Sequence, residues 1–151
     1  MDDVDDPVAL ADQLAARWHA GQTDKLGEPY IGHSRRVAAR LTTPDEKIVA
    51  LLHDVLEDTE ATPDDLIAAG FAADIVAAVD ALTRRPAETE HDYLTRVCSS
   101  PLAVTVKWAD IADNRDPRRI ARLPDPALRH RLTQKYDRAL GLLDRLSHGT
   151  G

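Results

Sequence analysis

The chain has 151 residues, of which 43% are hydrophobic and 30% are charged, and its formal net charge is −7 at pH 7. This length suits one hydrophobic core, so we expect a single domain over residues 1–151 with an ordered core from about 7 to 146. The negative charge disfavours nucleic-acid polymers as partners, and no apolar run approaches the ~18 residues of a membrane span. The only cysteine is Cys98, which excludes an internal disulfide, and the acidic residues 1–6 are unlike a secretory signal, so we expect a cytoplasmic protein.

The first half of the chain predicts three helices. Apolar residues recur at helical spacing almost throughout, without the alternation of a strand, so the fold is predicted to be all-α. The first helix is predicted over residues 7–20 and the second from about 28 to 43. A capping box of Thr43 and Glu46 starts the third, which we extend to about Glu57. Its interior is apolar nearly all round, which indicates the centre of a helical bundle.

The second half of the chain continues the helical pattern. A second capping signature at residues 62–65 starts a short helix that Gly70 ends. Four further helices are predicted over residues 72–82, 89–97, 102–114 and 126–146. The last residues, 147–151, are expected to be disordered.

Polar groups interrupt the apolar run of the third predicted helix. His53 and Asp54 lie where burial is expected, and a buried charge is costly unless it is paired or bound to a metal. Glu57 follows His53 by four positions, and Asp58 follows Asp54 by four. This spacing places all four side chains on one face of a regular helix. A second His-Asp dipeptide, at 91–92, lies in a polar context and is predicted to be at the surface.

Two further predicted helices each carry a polar residue within an apolar surface, His33 in the second helix and Asp110 in the helix over residues 102–114. The candidate metal ligands are His33, His53, Asp54 and Asp110. Two imidazoles and two carboxylates without a thiolate favour manganese(II), with iron(II) or magnesium as alternatives. Such an ion would lower the pKa of bound water and polarise a phosphoryl oxygen, and Glu57 with Asp58 would then be general acid/base groups. Taken singly, His33 also fits an ordinary partly buried histidine, and Asp110 a partner of Lys107.

Three segments resemble the hydrolase domain of RelA/SpoT-type proteins and the small stand-alone hydrolases of the alarmone (p)ppGpp. The matching segments are residues 25–33 (KLGEPYIGH), 50–59 (ALLHDVLEDT) and 107–114 (KWADIADN). Tyr136 fits the tyrosine of that family, so the resemblance covers nearly the whole chain. It implies an HD-type helical bundle in which the four ligands hold one manganese ion. It further implies that Glu57 and Asp58 activate water, and that Lys25 and Asn114 contact the nucleotide.

The reaction implied by the resemblance is removal of the 3′-pyrophosphate from ppGpp or pppGpp to give GDP or GTP. The chain departs from the family at Asp24, Ile111 and Asp113, where the family commonly has a basic residue, a basic residue, and an aromatic residue or histidine. These departures concern substrate recognition. The candidate replacement cations are Arg35, Arg36, Arg115, Arg118 and Arg119, of which we name Arg35 and Arg115 with Lys25 and Asn114 as the substrate-binding set.

Two other functions remain compatible with the sequence. One is a mononuclear HD phosphohydrolase acting on another small anionic nucleotide, such as a nucleoside monophosphate or a phosphorylated dinucleotide. The other is a helical module that senses a nucleotide without turnover, although all candidate ligands and both acidic residues are present. A binuclear enzyme is disfavoured because no histidine lies between Asp54 and His91. The sequence leaves the oligomeric state open.

Overall fold

Side-chain caps and prolines fix where most of the helices begin. The computed structural model of the protein describes residues 6–148. Within this range the helices are α1 Pro7–Trp18, α2 Ile31–Ala39, α3 Pro44–Leu52, α4 Val55–Asp58, α5 Pro63–Ala68, α6 Ala73–Ala81, α7 Glu90–Cys98, α8 Pro101–Asn114, α9 Pro117–Ile120 and α10 Pro126–Ser147. More than half of them start with a proline, whose missing N–H costs nothing in a first turn. The predicted capping box at Thr43 and Glu46 forms, as does one at Thr62 and Asp65.

The structure confirms an all-α fold, since no strand occurs among residues 6–148. Helix α3 lies at the centre, where it packs against α1, α2, α6 and α8. Its residues 48–52 are all buried, as the continuous apolar pattern predicts. No helix among the described residues combines the length and hydropathy needed to cross a membrane.

The prediction of one continuous helix from residue 44 to 57 is wrong. Helix α3 ends at Leu52, and α4 starts again at Val55. The break has a local cause: the ring Nδ1–H of His53 donates to the Ala50 carbonyl oxygen at 2.5 Å. In a continuing helix that oxygen would accept the N–H of Asp54 instead. Asp54 adopts φ −103° and ψ 0°, so its direction is set by the break rather than by regular helical spacing.

The remaining differences lie at helix ends and in one added element. Helix α2 starts at Ile31 instead of about residue 28, because residues 23 and 29 pair in a short antiparallel bridge. The short helix α9 was not predicted. Helix α10 includes Ser147, so the expected disorder is wrong there, and residues 149–151 lie outside the described residues.

Candidate metal centre and substrate cavity

A cavity of about 580 Å³ opens beside the ends of α2, α3 and α8. The predicted site residues that line it are Lys25, His33, His53, Asp54, Glu57, Asp58, Asp110 and Asn114. The fold therefore brings together residues that are up to 89 positions apart in sequence, from Lys25 to Asn114. This volume is within the range of pockets that bind small molecules.

Three of the predicted ligands form a compact donor group. One donor atom each from His33, His53 and Asp54 lies within 4.8 Å of the others. The Nε2 atom of His53 is 3.1 Å from the Asp54 carboxylate. Both histidines are buried, with 4% and 2% of their surfaces exposed. This combination of nitrogen and oxygen donors suits a divalent metal.

Asp110 joins the group through one of its two oxygens. Its Oδ1 atom is 2.9 Å from Nε2 of His33 and 3.3 Å from Nε2 of His53. Its Oδ2 atom accepts a hydrogen bond from Lys107 Nζ at 3.0 Å. The two interpretations of Asp110, as a metal ligand and as a partner of Lys107, are therefore compatible in one carboxylate.

The orientation of each imidazole ring is fixed by a hydrogen bond at its Nδ1 atom. His33 Nδ1 is 2.7 Å from Asp113 Oδ2, and His53 Nδ1 contacts the Ala50 carbonyl oxygen. Because each Nδ1–H donates to a fixed acceptor, both Nε2 atoms face Asp110. Two nitrogen lone pairs directed at a carboxylate oxygen repel one another unless a proton or a metal cation lies among them. The donor set thus fits a bound cation.

The electrostatics of the centre agree with this requirement. Burial alone would lower the pKa of His53, but the carboxylates of Asp54 and Asp110 outweigh burial and hold that pKa well above its ordinary value. The pKa of His33 is also raised, since its bonds to Asp110 and Asp113 outweigh its burial. Conversely, burial would raise the pKa of Asp54, but His53 holds it below its usual range. The centre therefore stabilises positive charge among ionised carboxylates.

Tyr30 is a site residue that sequence reasoning missed. Its hydroxyl donates a hydrogen bond to Asp54 Oδ2. Burial raises the pKa of Tyr30 far above its ordinary value, with a further contribution from Asp54, so the hydroxyl stays protonated as a donor. The available signal was its position three residues before His33, the spacing of neighbours on one helix face.

The acidic pair lies at the rim of the cavity. The Glu57 carboxylate accepts a hydrogen bond from the Arg84 backbone N–H at 2.7 Å. Desolvation raises the pKa of Asp58 to about 6, and the charges of Asp54 and Glu57 add to the effect. Such a pKa lets Asp58 exchange a proton near neutral pH.

The predicted substrate-binding set divides in two. Lys25 and Asn114 line the cavity, and Asn114 Nδ2 contacts Asp110 at 3.3 Å. Arg35 and Arg115 do not line it, which corrects the prediction. Arg35 instead pairs with Asp12 at 2.7 Å, and Arg115 pairs with an α10 carboxylate at the same distance.

Two of the three departures from the family pattern, Asp24 and Asp113, are explained by their partners. Asp24 accepts a hydrogen bond from Arg119 at 2.9 Å, so a cation from α9 offsets the acid that was expected to repel phosphate. Asp113, whose buried carboxylate holds His33, also accepts from Arg36 Nε at 3.0 Å. Arg36 and Arg119 line the cavity, whereas the side chain of Arg118 is 90% exposed.

The cavity extends beyond the metal-binding end. Sequence reasoning did not assign the cations Arg84 and Lys135, which lie on its wall. Its apolar lining includes Ile120, Leu123, Leu132, Tyr136 and Ala139. A cavity with a metal-binding end, flanking cations and an apolar wall suits a phosphorylated organic molecule.

Comparison with known proteins then assigns the family. The family model described as HD domain matches residues 11–97, which run from within α1 to within α7 and include both histidines of the candidate centre. The chain belongs to the HD domain family. The HD dipeptide of this protein is His53-Asp54, at the break between α3 and α4.

Relatives of this HD domain include enzymes of (p)ppGpp metabolism. The chain is 32% identical over 120 residues to the GTP pyrophosphokinase of Streptomyces coelicolor, covering 71% of this chain and 14% of that protein. It is 30% identical over 119 residues to the guanosine-3′,5′-bis(diphosphate) 3′-pyrophosphohydrolase of Aquifex aeolicus, covering 71% of this chain and 17% of that protein. The chain thus spans a minor part of these relatives.

A solved structure matches over nearly the full length. This structure, of a metazoan ortholog of SpoT that hydrolyzes ppGpp and plays a role in starvation responses, has a TM-score of 0.77 and 25% sequence identity. The match covers 96% of this chain and 87% of that one. The predicted relationship to the RelA/SpoT-type hydrolase domain is confirmed.

Proposed function

We propose that this HD domain is a metal-dependent phosphohydrolase that removes the 3′-pyrophosphate of ppGpp and pppGpp. The observation that carries the proposal is the convergence of two histidines and two aspartates at one end of a cavity whose rim bears Glu57 and Asp58. The named activity of the structural neighbour and of the Aquifex aeolicus relative supports the same substrate.

The proposed metal is a single divalent ion, with manganese(II) first and iron(II) or magnesium as alternatives. The residues that would hold it are His33, His53, Asp54 and Asp110. When bound, such an ion supplies a water of lowered pKa and stabilises charge on a phosphoryl oxygen. Asp113 and the Ala50 carbonyl keep the imidazoles turned toward it.

In this proposal Glu57 acts as a general base and Asp58 as a general acid. Glu57, whose carboxylate is oriented by the Arg84 amide, accepts the proton of the attacking water. Asp58 has a pKa of about 6, so it holds a proton in part of the population near neutral pH. That proton is available to the 3′-oxygen as its bond to phosphorus breaks. Tyr30 holds the neighbouring Asp54 in place.

Local charge explains how an acidic protein accepts a highly anionic substrate. The net charge is −7, yet Lys25, Arg84 and Lys135 all line the cavity. Cations within a confined cavity act on a bound phosphate more strongly than distant surface carboxylates do, because solvent and salt screen the latter. We assign the phosphates to these cations and the nucleobase to the apolar wall. The expected cytoplasmic location remains a prediction.

A second candidate substrate is another nucleotide. Arg119 is engaged by Asp24 and also contacts Glu28 at 3.4 Å, so it is less available to phosphate than an unpaired cation. This pairing favours a substrate with fewer phosphates, such as a nucleoside monophosphate or a phosphorylated dinucleotide.

The test is pyrophosphate and phosphate release from ppGpp with added manganese, alongside a panel of other nucleotides. Asp54→Asn is the disabled variant, and Asp137→Asn is the matched control because Asp137 is half-exposed on α10. Pyrophosphate release from ppGpp that Asp54→Asn loses supports the proposal. Turnover of another nucleotide but not of ppGpp would identify that nucleotide as the substrate instead. Metal binding without turnover of any nucleotide would indicate a nucleotide sensor instead of an enzyme.

A further inference from the structure

Arg96 contacts both ends of the loop between α6 and α7. Arg96 donates to both carboxylate oxygens of Glu88, with Nη2–Oε1 and Nε–Oε2 distances of 2.8 and 3.1 Å. Its remaining donors reach the backbone carbonyls of Asp80, Ala81 and Thr83 at 3.3, 2.9 and 3.0 Å. The side chains of Arg96 and Glu88 are only 20% and 13% exposed. One guanidinium therefore joins the end of α6 to the far side of the loop.

These contacts are stronger than those of an ordinary surface ion pair. A bidentate arginine–carboxylate contact combines two charge-assisted hydrogen bonds in one fixed geometry. The last carbonyls of a helix have no partner inside it, and Arg96 supplies one at the end of α6. The Glu88 carboxylate also accepts from the Arg85 backbone N–H at 3.0 Å. The Glu88–Arg96 pair thus fixes both the entrance and the exit of the loop.

The loop conformation is one that the backbone does not favour by itself. Ala87 has φ +65°, a left-handed conformation that side chains with a Cβ atom rarely adopt. A conformation of this kind persists only where surrounding contacts hold it. The contacts that hold it here centre on Glu88, whose side chain pairs with Arg96. The Glu88 backbone carbonyl also accepts from the Arg84 guanidinium at 3.3 and 3.4 Å, and the Glu88 N–H donates to the Arg85 carbonyl at 3.1 Å.

The same loop reaches the acidic pair. The backbone N–H of Arg84 donates to Glu57 Oε1 at 2.7 Å. Within residues 6–148, this amide is the one hydrogen-bond donor that contacts the Glu57 carboxylate. Helix α4 has only four residues and Glu57 is exposed, so packing contributes little to its rotamer. The position of the Arg84 amide therefore decides where the carboxylate lies.

We propose that Arg96, with Glu88, is a positioning residue for the reaction, because it holds the loop that presents the Arg84 amide to Glu57. The proposal rests on the proposed function, in which Glu57 accepts a proton. Arg96 itself does not line the cavity. Its effect is transmitted through one backbone hydrogen bond, and misplacement of a reacting group by about 1 Å can cost on the order of 100-fold in rate.

The experiment is a double-mutant cycle on kcat for ppGpp hydrolysis at saturating manganese. Arg96→Gln is expected to lower kcat by about 10-fold when Glu57 is present. In a Glu57→Ala background it is expected to change kcat by less than about twofold, since there is no carboxylate left to position. Arg85→Gln is the matched control, because the Arg85 side chain is 59% exposed and outside the pair. It is expected to leave kcat within about twofold of wild type.

The cycle separates positioning from general damage to the fold. If Arg96→Gln lowers kcat by the same factor in both backgrounds, Arg96 does not act through Glu57 and the proposal is wrong. Glu88→Gln, a milder change, is carried through the same cycle so that misfolding of one variant does not decide the result. Absence of turnover by wild-type protein overturns the proposed function itself, and the role of Arg96 in it.

Discussion

Replacing Asp113 with asparagine tests whether the carboxylate behind His33 contributes to metal affinity. Asp113 is 1% exposed, and its Oδ2 atom lies 2.7 Å from His33 Nδ1. Asparagine has nearly the same shape and keeps one oxygen that can accept the Nδ1–H. It removes the charge, so a charge-assisted hydrogen bond of about 1.5–3 kcal/mol becomes a neutral one of about 0.5–1.5 kcal/mol.

The difference is about 1–2 kcal/mol, which corresponds to an approximately 5- to 30-fold weaker manganese Kd. This range overlaps the effect, about 10- to 100-fold, that outer-shell partners of metal ligands usually have. We assign this loss of binding free energy to the metal-bound state, because the Asp113 carboxylate makes the His33 ring a more basic ligand. Some loss of folding stability is expected as well, since Arg36 loses its charged partner.

The assay is isothermal titration calorimetry of manganese into chelator-treated protein at pH 8, with wild type and variant titrated in the same buffer because metal binding displaces protons from the imidazoles. Asp137→Asn makes the same chemical change at a half-exposed position and is expected to leave the Kd unchanged. His33→Ala identifies the binding event as the one at this centre. A Kd for Asp113→Asn within about twofold of wild type, together with loss of binding in His33→Ala, would refute the reasoning.

Three further predictions concern the loop and the cavity. Arg96 holds the pKa of Glu88 at about 2, so the stabilising contact is present above pH 4.5, the ordinary value, and is lost as the pH falls toward 2. Urea unfolding should show wild type more stable than Glu88→Gln at pH 7, with the difference shrinking below pH 4.5, and a pH-independent difference would contradict this. Ala87→Gly should raise the free energy of unfolding by about 1 kcal/mol, because glycine accepts the left-handed conformation, and a fall in thermal stability would argue against it. Lys25→Gln should raise KM for the nucleotide while Arg35→Gln leaves it unchanged, since only the former lines the cavity, and equal effects in steady-state kinetics would count against this assignment.

The sequence determined the features that depend on neighbouring residues. Helix starts follow from caps and prolines a few positions apart, so the capping box at Thr43 and the start of α5 were predicted. The all-α fold follows from apolar periodicity, which is also local. The candidate metal ligands stood out because histidine and aspartate interrupt an apolar pattern, and all four line the cavity.

Only the tertiary structure decided which partner each polar side chain has. The bond that breaks the helix, from the His53 ring to the Ala50 carbonyl, is local, but that ring is buried against Asp110 of α8, a contact that helix propensity does not reveal. Arginine side chains are long, and their partners lie on other elements, so spacing could not distinguish Arg35 from Arg119. Asp113, which the sequence marked only as a departure, lies behind His33 because α2 and α8 pack together. Contacts between residues this distant depend on how the helices pack, and no local pattern encodes that.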